Sequence, residues 1–179
     1  MGEFSIGQSP TRLEDQRLLT GQGRFLDDIN YDRQLWAVIL RSPHAHAKIL
    51  SIDTSAAQAA PGVHGVFTGA DYRADGMGVV PCMGDYSHRN GGKMFIPDRP
   101  ALAVGKVMHI GYPVALVVAD TDTQARDASE LIKVDYEVLP AVTSCREAFQ
   151  DGAPQLYDEC PNNESYLYTA GNKDDTDKV

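Results

Sequence analysis

His44 and His46 are the side chains whose type and spacing come nearest to metal chemistry. Residues two apart in a strand share a face, so both imidazoles would meet one ion there. A metal site takes at least three protein ligands. His64, His88 and His109 lie in other segments, and no spacing brings them close. The pair therefore reads as strand-end histidines that hydrogen-bond locally, and a small metal-binding protein using His44 and His46 is the weakest reading. The three cysteines, Cys82, Cys145 and Cys160, are widely separated and form no CxxC pair. Neither a zinc knuckle nor an iron–sulfur cluster is encoded, and the simplest reading is reduced thiols in a cytoplasmic protein.

Phosphate-binding and acid–base chemistry fare no better. Gly21-Gln22-Gly23 opens like a dinucleotide fingerprint, but Leu26 stands at the third glycine and no apolar strand precedes it. Gly91-Gly92-Lys93 lacks the leading glycine of a P-loop, with Ser87 in its place, and Met94 replaces the Ser/Thr. The adjacent carboxylates Glu14-Asp15 and Asp27-Asp28 point apart in a strand or loop, so neither pair makes an acid/base couple. Serines 42, 51, 55 and 129 have no nucleophile elbow around them. Cys82 has no cation within a few residues to lower its pKa. No catalytic, cofactor-binding or metal residue is assigned from the sequence.

The composition agrees with a scaffold. A chain of 179 residues with 42% hydrophobic content can bury an ordinary core. The net charge of −9 repels phosphate backbones and anionic lipid, so neither nucleic acid nor membrane is an expected partner. From Asp158 onward six acids and two lysines supply −4 of that charge, and this polar end is expected to fray. Met1 to Pro10 lacks the basic and apolar runs of a signal peptide. No apolar run approaches the roughly 20 residues of a membrane span.

The elements that would position any site follow from periodicity. Residues 1–34 read as polar and turn-rich. Strands are expected over Leu35–Leu40, Lys48–Ile52, Val63–Thr68, Ala101–Met108, Val114–Ala119 and Val134–Leu139. Pro43 ends the first of these, because it has no N–H for a ladder. A short helix over Ala56–Ala60 stops at Pro61-Gly62, and another lies near Arg146–Gln150. The helix after Asp120-Thr121 places Ala125, Ala128, Ser129 and Ile132 on one face and Arg126, Asp127 and Glu130 on the other. Residues 69–100, rich in glycine and proline, read as a long loop. Two strand–helix–strand units result, Ile49–Thr68 and Val114–Leu139. They predict an α+β fold in which helices pack on one face of a mixed β-sheet, with the second unit crossing between parallel strands.

Read in order, several stretches resemble one family. They are Arg41-Ser42-Pro43-His44-Ala45-His46-Ala47, Ile49-Leu50-Ser51-Ile52-Asp53-Thr54, Pro61-Gly62-Val63 and Val66-Phe67-Thr68-Gly69-Ala70-Asp71. Gly111-Tyr112-Pro113-Val114-Ala115, Ala125-Arg126-Asp127-Ala128, Val134-Asp135-Tyr136-Glu137 and Leu139-Pro140-Ala141-Val142 follow. So do the earlier Arg12-Leu13-Glu14-Asp15, Gly21-Gln22-Gly23-Arg24-Phe25 and Asp27-Asp28. The set is similar to the N-terminal a/b hammerhead domain of the molybdenum hydroxylase large subunits, which include aldehyde oxidase, xanthine dehydrogenase and carbon monoxide dehydrogenase.

That resemblance implies a hammerhead domain over 1–160 and a polar tail over 161–179 that begins a molybdenum-binding region. It implies an oxidoreductase acting on an aldehyde, an N-heterocycle or carbon monoxide at molybdenum held by molybdopterin. [2Fe–2S] clusters and FAD would sit on partner subunits or domains. The implied partners are the remainder of the large subunit and the iron–sulfur and FAD subunits. The family's pterin loops and its active-site glutamate match no position in this chain, so the chain is expected to be a non-catalytic fragment, truncated product or separately encoded piece. Tyr112 departs from the pattern, where Glu or Gln is expected. The alternative reading is an autonomous non-catalytic interaction domain. In either case the isolated module is expected to expose an apolar patch and to be prone to self-association.

Overall fold

The computed structural model describes Gly7, residues 11–84, Tyr86, residues 91–168, Ala170, Gly171 and Asp177. Ser87, His88 and the tail residues Lys173, Asp174, Asp175 and Lys178, considered above, lie outside the described residues. Two compact units follow each other, residues 1–34 and residues 35–179.

In the first unit, one helix, α1 (Asp15–Leu19), precedes a short 3-10 turn at Leu26–Asp28. Its ties are local: the Arg12 N–H donates to Asp15, Arg17 pairs with Glu14, and the Phe25 N–H donates to Asp28. No residue of α1 is buried, and the leucines Leu13, Leu19 and Leu26 are almost wholly exposed.

The second unit holds the core. Its strands are β1 (Trp36–Arg41), β2 (Ala47–Asp53), β3 (Val63–Thr68), β4 (Lys106–Val107), β5 (Pro113–Ala119) and β6 (Lys133–Val138). Its helices are α2 (Ser55–Gln58), α3 (Gly69–Ala74), α4 (Asp122–Glu130) and α5 (Cys145–Ala148). The α+β class stands, but the mixed sheet expected from the two crossover units is replaced by two three-stranded sheets, ordered β1-β5-β3 and β4-β2-β6. Every strand pair in them is antiparallel. Helix length explains the first unit. The four residues of α2 rise only about 6 Å, whereas the seven of β2 span about 23 Å, so the chain cannot return to the start of β2. It passes to the other sheet instead. The second unit does likewise: α4 carries the chain from β5 in one sheet to β6 in the other.

The α4 face reads as expected. Ala125 and Ala128 are fully buried, and they pack with Ile132, Ala57 and Val66 against Ala115, Val117 and Ala119 of β5. Alternation puts these three β5 residues on one side of the sheet, and the alanines let the helix axis lie close to it. Thr121 caps α4 through its hydroxyl, which accepts the Gln124 N–H at 3.2 Å. Val114, on the opposite side of β5, belongs to a second cluster with Ala47, Ala103 and Val107. Ile52 and Val134 touch both clusters, so the two sheets share one continuous core.

Local features depart from the expectation, and the stretch 69–100, expected as a long loop, opens instead with helix α3 (Gly69–Ala74). The strand expected over Ala101–Met108 is confined to Lys106–Val107, and outside it the Ala103 N–H donates to the Pro113 carbonyl at 2.8 Å. Within the polar end expected to fray from Asp158, the described residues Asn163 and Ser165 are tied to the rest of the unit, and most of 169–179 lies outside the described residues. The Asn163 amide donates to the carbonyls of Ala148 and Pro154, and Ser165 exchanges two 2.8 Å hydrogen bonds with Phe95.

Helix α3 shows why Thr68-Gly69-Ala70-Asp71 occurs as a block. The Asp71 carboxylate accepts both the Thr68 N–H and the Thr68 hydroxyl at 2.7 Å. These bonds hold the Asp71 carboxyl below its ordinary range. A depressed pKa stabilises the fold fully above the unfolded value, near 3.9, and that contribution disappears as pH falls through the folded value. Asp71→Asn is expected to cost about 1 kcal/mol at pH 7. The gap between its melting temperature and the parent's should narrow as pH falls below about 4 and close once pH is below the lowered folded value. A constant gap down to pH 2 would contradict the assignment.

Candidate functional site

The structure places the two histidines in different surroundings. Residues 42–46 form a bend, and β2 starts only at Ala47. The His46 ring is 5% exposed and its Nδ1 lies 2.8 Å from the Pro140 carbonyl. A carbonyl only accepts, so Nδ1 carries the proton. The Nε2 atom is enclosed and meets no protein partner. His44 instead packs edge-on against Tyr136, with ring centroids 4.9 Å apart. Among the described residues no three His, Cys, Asp or Glu side chains converge as ligands would.

What these residues do is join segments. Ser42, which had no assigned role, is buried and bonds in both directions: its N–H donates to the Tyr112 carbonyl and its carbonyl accepts the Gly111 N–H. The Ser42 hydroxyl also receives the His44 N–H. Arg41 donates to the Gly111 carbonyl at 2.9 Å. On the other side, Leu139 donates to the His46 carbonyl. The stretches 41–47, 111–115 and 139–142, far apart in sequence, thus meet through backbone and buried polar groups. Their residue types serve this junction.

Beside the junction lies a cavity of about 640 Å³. Val80, Phe95, Arg99, His109, Tyr112 and Tyr157 line it. Two ring pairs shape it, His109 with Tyr112 at 4.8 Å and Phe95 with Tyr157 at 5.5 Å. Burial pushes the Tyr112 and Tyr157 hydroxyls up, so both stay protonated near neutral pH. Burial also raises the Cys160 thiol, helped by nearby Glu164. A protonated, enclosed thiol is neither a nucleophile nor a ligand. The cavity can seat apolar and planar groups, but it presents no charged nucleophile or base. Tyr112, where the family pattern differs, is one of its walls. The other lining residues come from 80–113 and 156–165, and no spacing in the sequence signals their meeting.

The thiols give a direct check. Cys160 is 4% exposed, Cys145 is exposed and Cys82 lies between. In native protein a maleimide at pH 7.5 is expected to label Cys145 first and Cys82 more slowly, and to reach Cys160 only after denaturation. Native labelling of Cys160 at the Cys145 rate would contradict this packing.

The glycine motifs also resolve as structure. Gly21 has a φ of 72°, in the left-handed region, and its N–H donates to Leu18 just beyond α1. It therefore turns the chain at a helix end, where a residue with a Cβ is disfavoured.

The sequence matches the family described as aldehyde oxidase and xanthine dehydrogenase, a/b hammerhead domain, over residues 20–140. It is 43% identical to the nicotine 6-hydroxylase large subunit of Paenarthrobacter nicotinovorans, across 88% of this chain and 18% of that protein. It is 37% identical to the carbon monoxide dehydrogenase large chain of Afipia carboxidovorans, across 86% of this chain and 18% of that one. The structure superposes on quinoline 2-oxidoreductase of Pseudomonas putida 86 with a TM-score of 0.71 and 42% identity, covering 88% of this chain and 19% of that chain. The chain spans about a fifth of the length of the curated relatives it matches.

Proposed function

The chain belongs to the a/b hammerhead family of aldehyde oxidases and xanthine dehydrogenases, and from that premise we propose that it is the N-terminal structural module of a molybdopterin-dependent hydroxylase or dehydrogenase large subunit. The observation that carries this is the pairing of 43% identity to a large subunit with coverage of only 18% of it. A closed sheet-and-helix core accounts for the matched residues.

The Tyr112–Tyr157 cavity does not fit the molybdenum cofactor. A pterin phosphate calls for cations or a cluster of backbone N–H donors. Among the residues lining this cavity Arg99 is the only Arg or Lys, and the rest are mainly aromatic, apolar or neutral polar. On this reading the cofactor, the [2Fe–2S] clusters and FAD belong to polypeptide outside the module. The module braces that polypeptide, and its Tyr112–Tyr157 cavity accepts packing from it. The proposed reaction is the oxidation of an aldehyde, an N-heterocycle or carbon monoxide. No helix among the described residues is long and apolar enough to cross a membrane.

The test is replacement. In the nicotine 6-hydroxylase large subunit of Paenarthrobacter nicotinovorans, the matching segment is exchanged for this chain and co-expressed with that enzyme's other subunits. The chimera is expected to retain molybdenum and dye-linked oxidation. A folded chimera with neither molybdenum nor pterin would refute the proposal.

A further inference from the structure

The outer faces of the two sheets differ in chemistry. A half-solvated antiparallel sheet normally alternates apolar-in and polar-out. The β4-β2-β6 sheet follows this at its paired positions from Lys48 to Asp53, although Leu50 and Val138 are 58% and 62% exposed. Its outward cross-strand partners are Lys48 with Glu137, Ser51 with Asp135, and Asp53 with Lys133, all exposed, and Lys48 and Glu137 form an ion pair at 3.1 Å. An unpaired Leu50 at a register shift keeps this alternation in phase after Ile49.

The β1-β5-β3 sheet does not obey it. Its inner face packs on α4 through Val38, Leu40, Val66, Ala115 and Val117. On the opposite side, beyond Val114, which the second cluster covers, register sets the outward grid Ala37-Val118-Gly65 and Ile39-Leu116-Phe67. None of the six is polar. Ile39 is 39% and Phe67 43% exposed. The Phe67 ring lies over Gly65, where an added Cβ would come within 2.8 Å of it. The missing side chain at Gly65 thus lets the ring lie flat, which favours a broad contact surface.

Resting on the functional reading above, we propose that this outer face of the β1-β5-β3 sheet is where the module docks on the remaining polypeptide of its large subunit, through uncharged aliphatic and aromatic side chains. Charge-free centres distinguish protein interfaces from ordinary surface. The relatives supply the occupant, since some four-fifths of their length lies outside the matched segment. A second copy is the less favoured occupant, because repulsion between two chains of net charge −9 opposes the self-association expected of an exposed apolar patch.

The test uses the full chain and, as partner, the nicotine 6-hydroxylase large subunit lacking its own matching segment. Phe67→Lys and Ile39→Lys are each expected to weaken binding about ten-fold or more, whereas Asp135→Lys on the charged sheet changes it less than about two-fold. Both target side chains are already partly in water, and thermal melts of the variants check that the fold survives. Hydroxyl-radical labelling of the parent chain provides a readout without substitution: Phe67 oxidation is expected to fall on complex formation. Binding that survives Phe67→Lys in folded protein, or Phe67 labelling that does not change, overturns the docking face and leaves the functional reading intact. A dimer of the isolated chain that Phe67→Lys dissociates, with partner binding unaffected, assigns the face to a second copy and also overturns it. No binding by the parent chain overturns both.

Discussion

Ala128→Asp is expected to destabilise the second unit by about 3 kcal/mol or more. Ala128 is fully buried between α4 and β5, among Ala57, Ala115 and Val117. No cation is a member of that cluster, so the new carboxylate would be buried unpaired or the helix would have to lift from the sheet. Lifting would expose Ala125 and Ile132 as well. A loss of about 3 kcal/mol lowers the melting temperature of a domain this size by roughly 6–12 °C. Asp127, the exposed neighbour, is the control, and Asp127→Ala is expected to stay within about 0.5 kcal/mol of the parent. Near-parental melting of Ala128→Asp would refute the packing of α4.

Gly69→Ala carries the second large effect. Gly69 is buried at the first position of α3, and a Cβ there would stand 2.0 Å from the Ala103 carbonyl oxygen. That carbonyl is not free to retreat, since the Ala103 N–H is bonded to Pro113 at 2.8 Å. Alanine is favoured over glycine in a helix by about 1 kcal/mol, but the backbone shift costs more. A net loss of about 2–3 kcal/mol is expected, read as a lower urea midpoint with an unchanged slope. Gly78, which has open space around it and no left-handed φ, is the control. If Gly69→Ala proves as stable as Gly78→Ala, the close approach of α3 to residue 103 is wrong.

Much of the fold is legible in the residues because burial imposes a period. The spacing of Ala125, Ala128, Ser129 and Ile132 gives α4 and its inner face, and Val114–Ala119 reads as a strand from hydrophobicity alone. Strand partners are another matter. An alternating pattern states which residues share a face but not which strand lies alongside, so the split into two antiparallel sheets was not readable from it. The length of α2 was the available signal, since four residues cannot span a strand. Helix α3 hides in a stretch rich in glycine and proline, and its marks are the Thr68–Asp71 pair and the steric need at Gly69. At the candidate site, His44 and His46 attract attention through residue type, whereas Ser42 does more of the joining. The cavity of Arg99, Tyr112 and Tyr157 has no linear signature at all, because its walls come from segments some fifty residues apart.

The resemblance and the geometry converge on the same physical account. Residues quoted for the resemblance form the junction of 41–47 with 111–115 and 139–142, the α3 entry and the α4 face. Their hydrogen bonds and packing hold these segments together. The central claim proposed is that this chain works as part of a large subunit. Native mass spectrometry of the full chain mixed with the nicotine 6-hydroxylase large subunit lacking its matching segment tests that claim most directly. The account predicts a one-to-one complex; two separate species at micromolar concentrations, each folded, would contradict it.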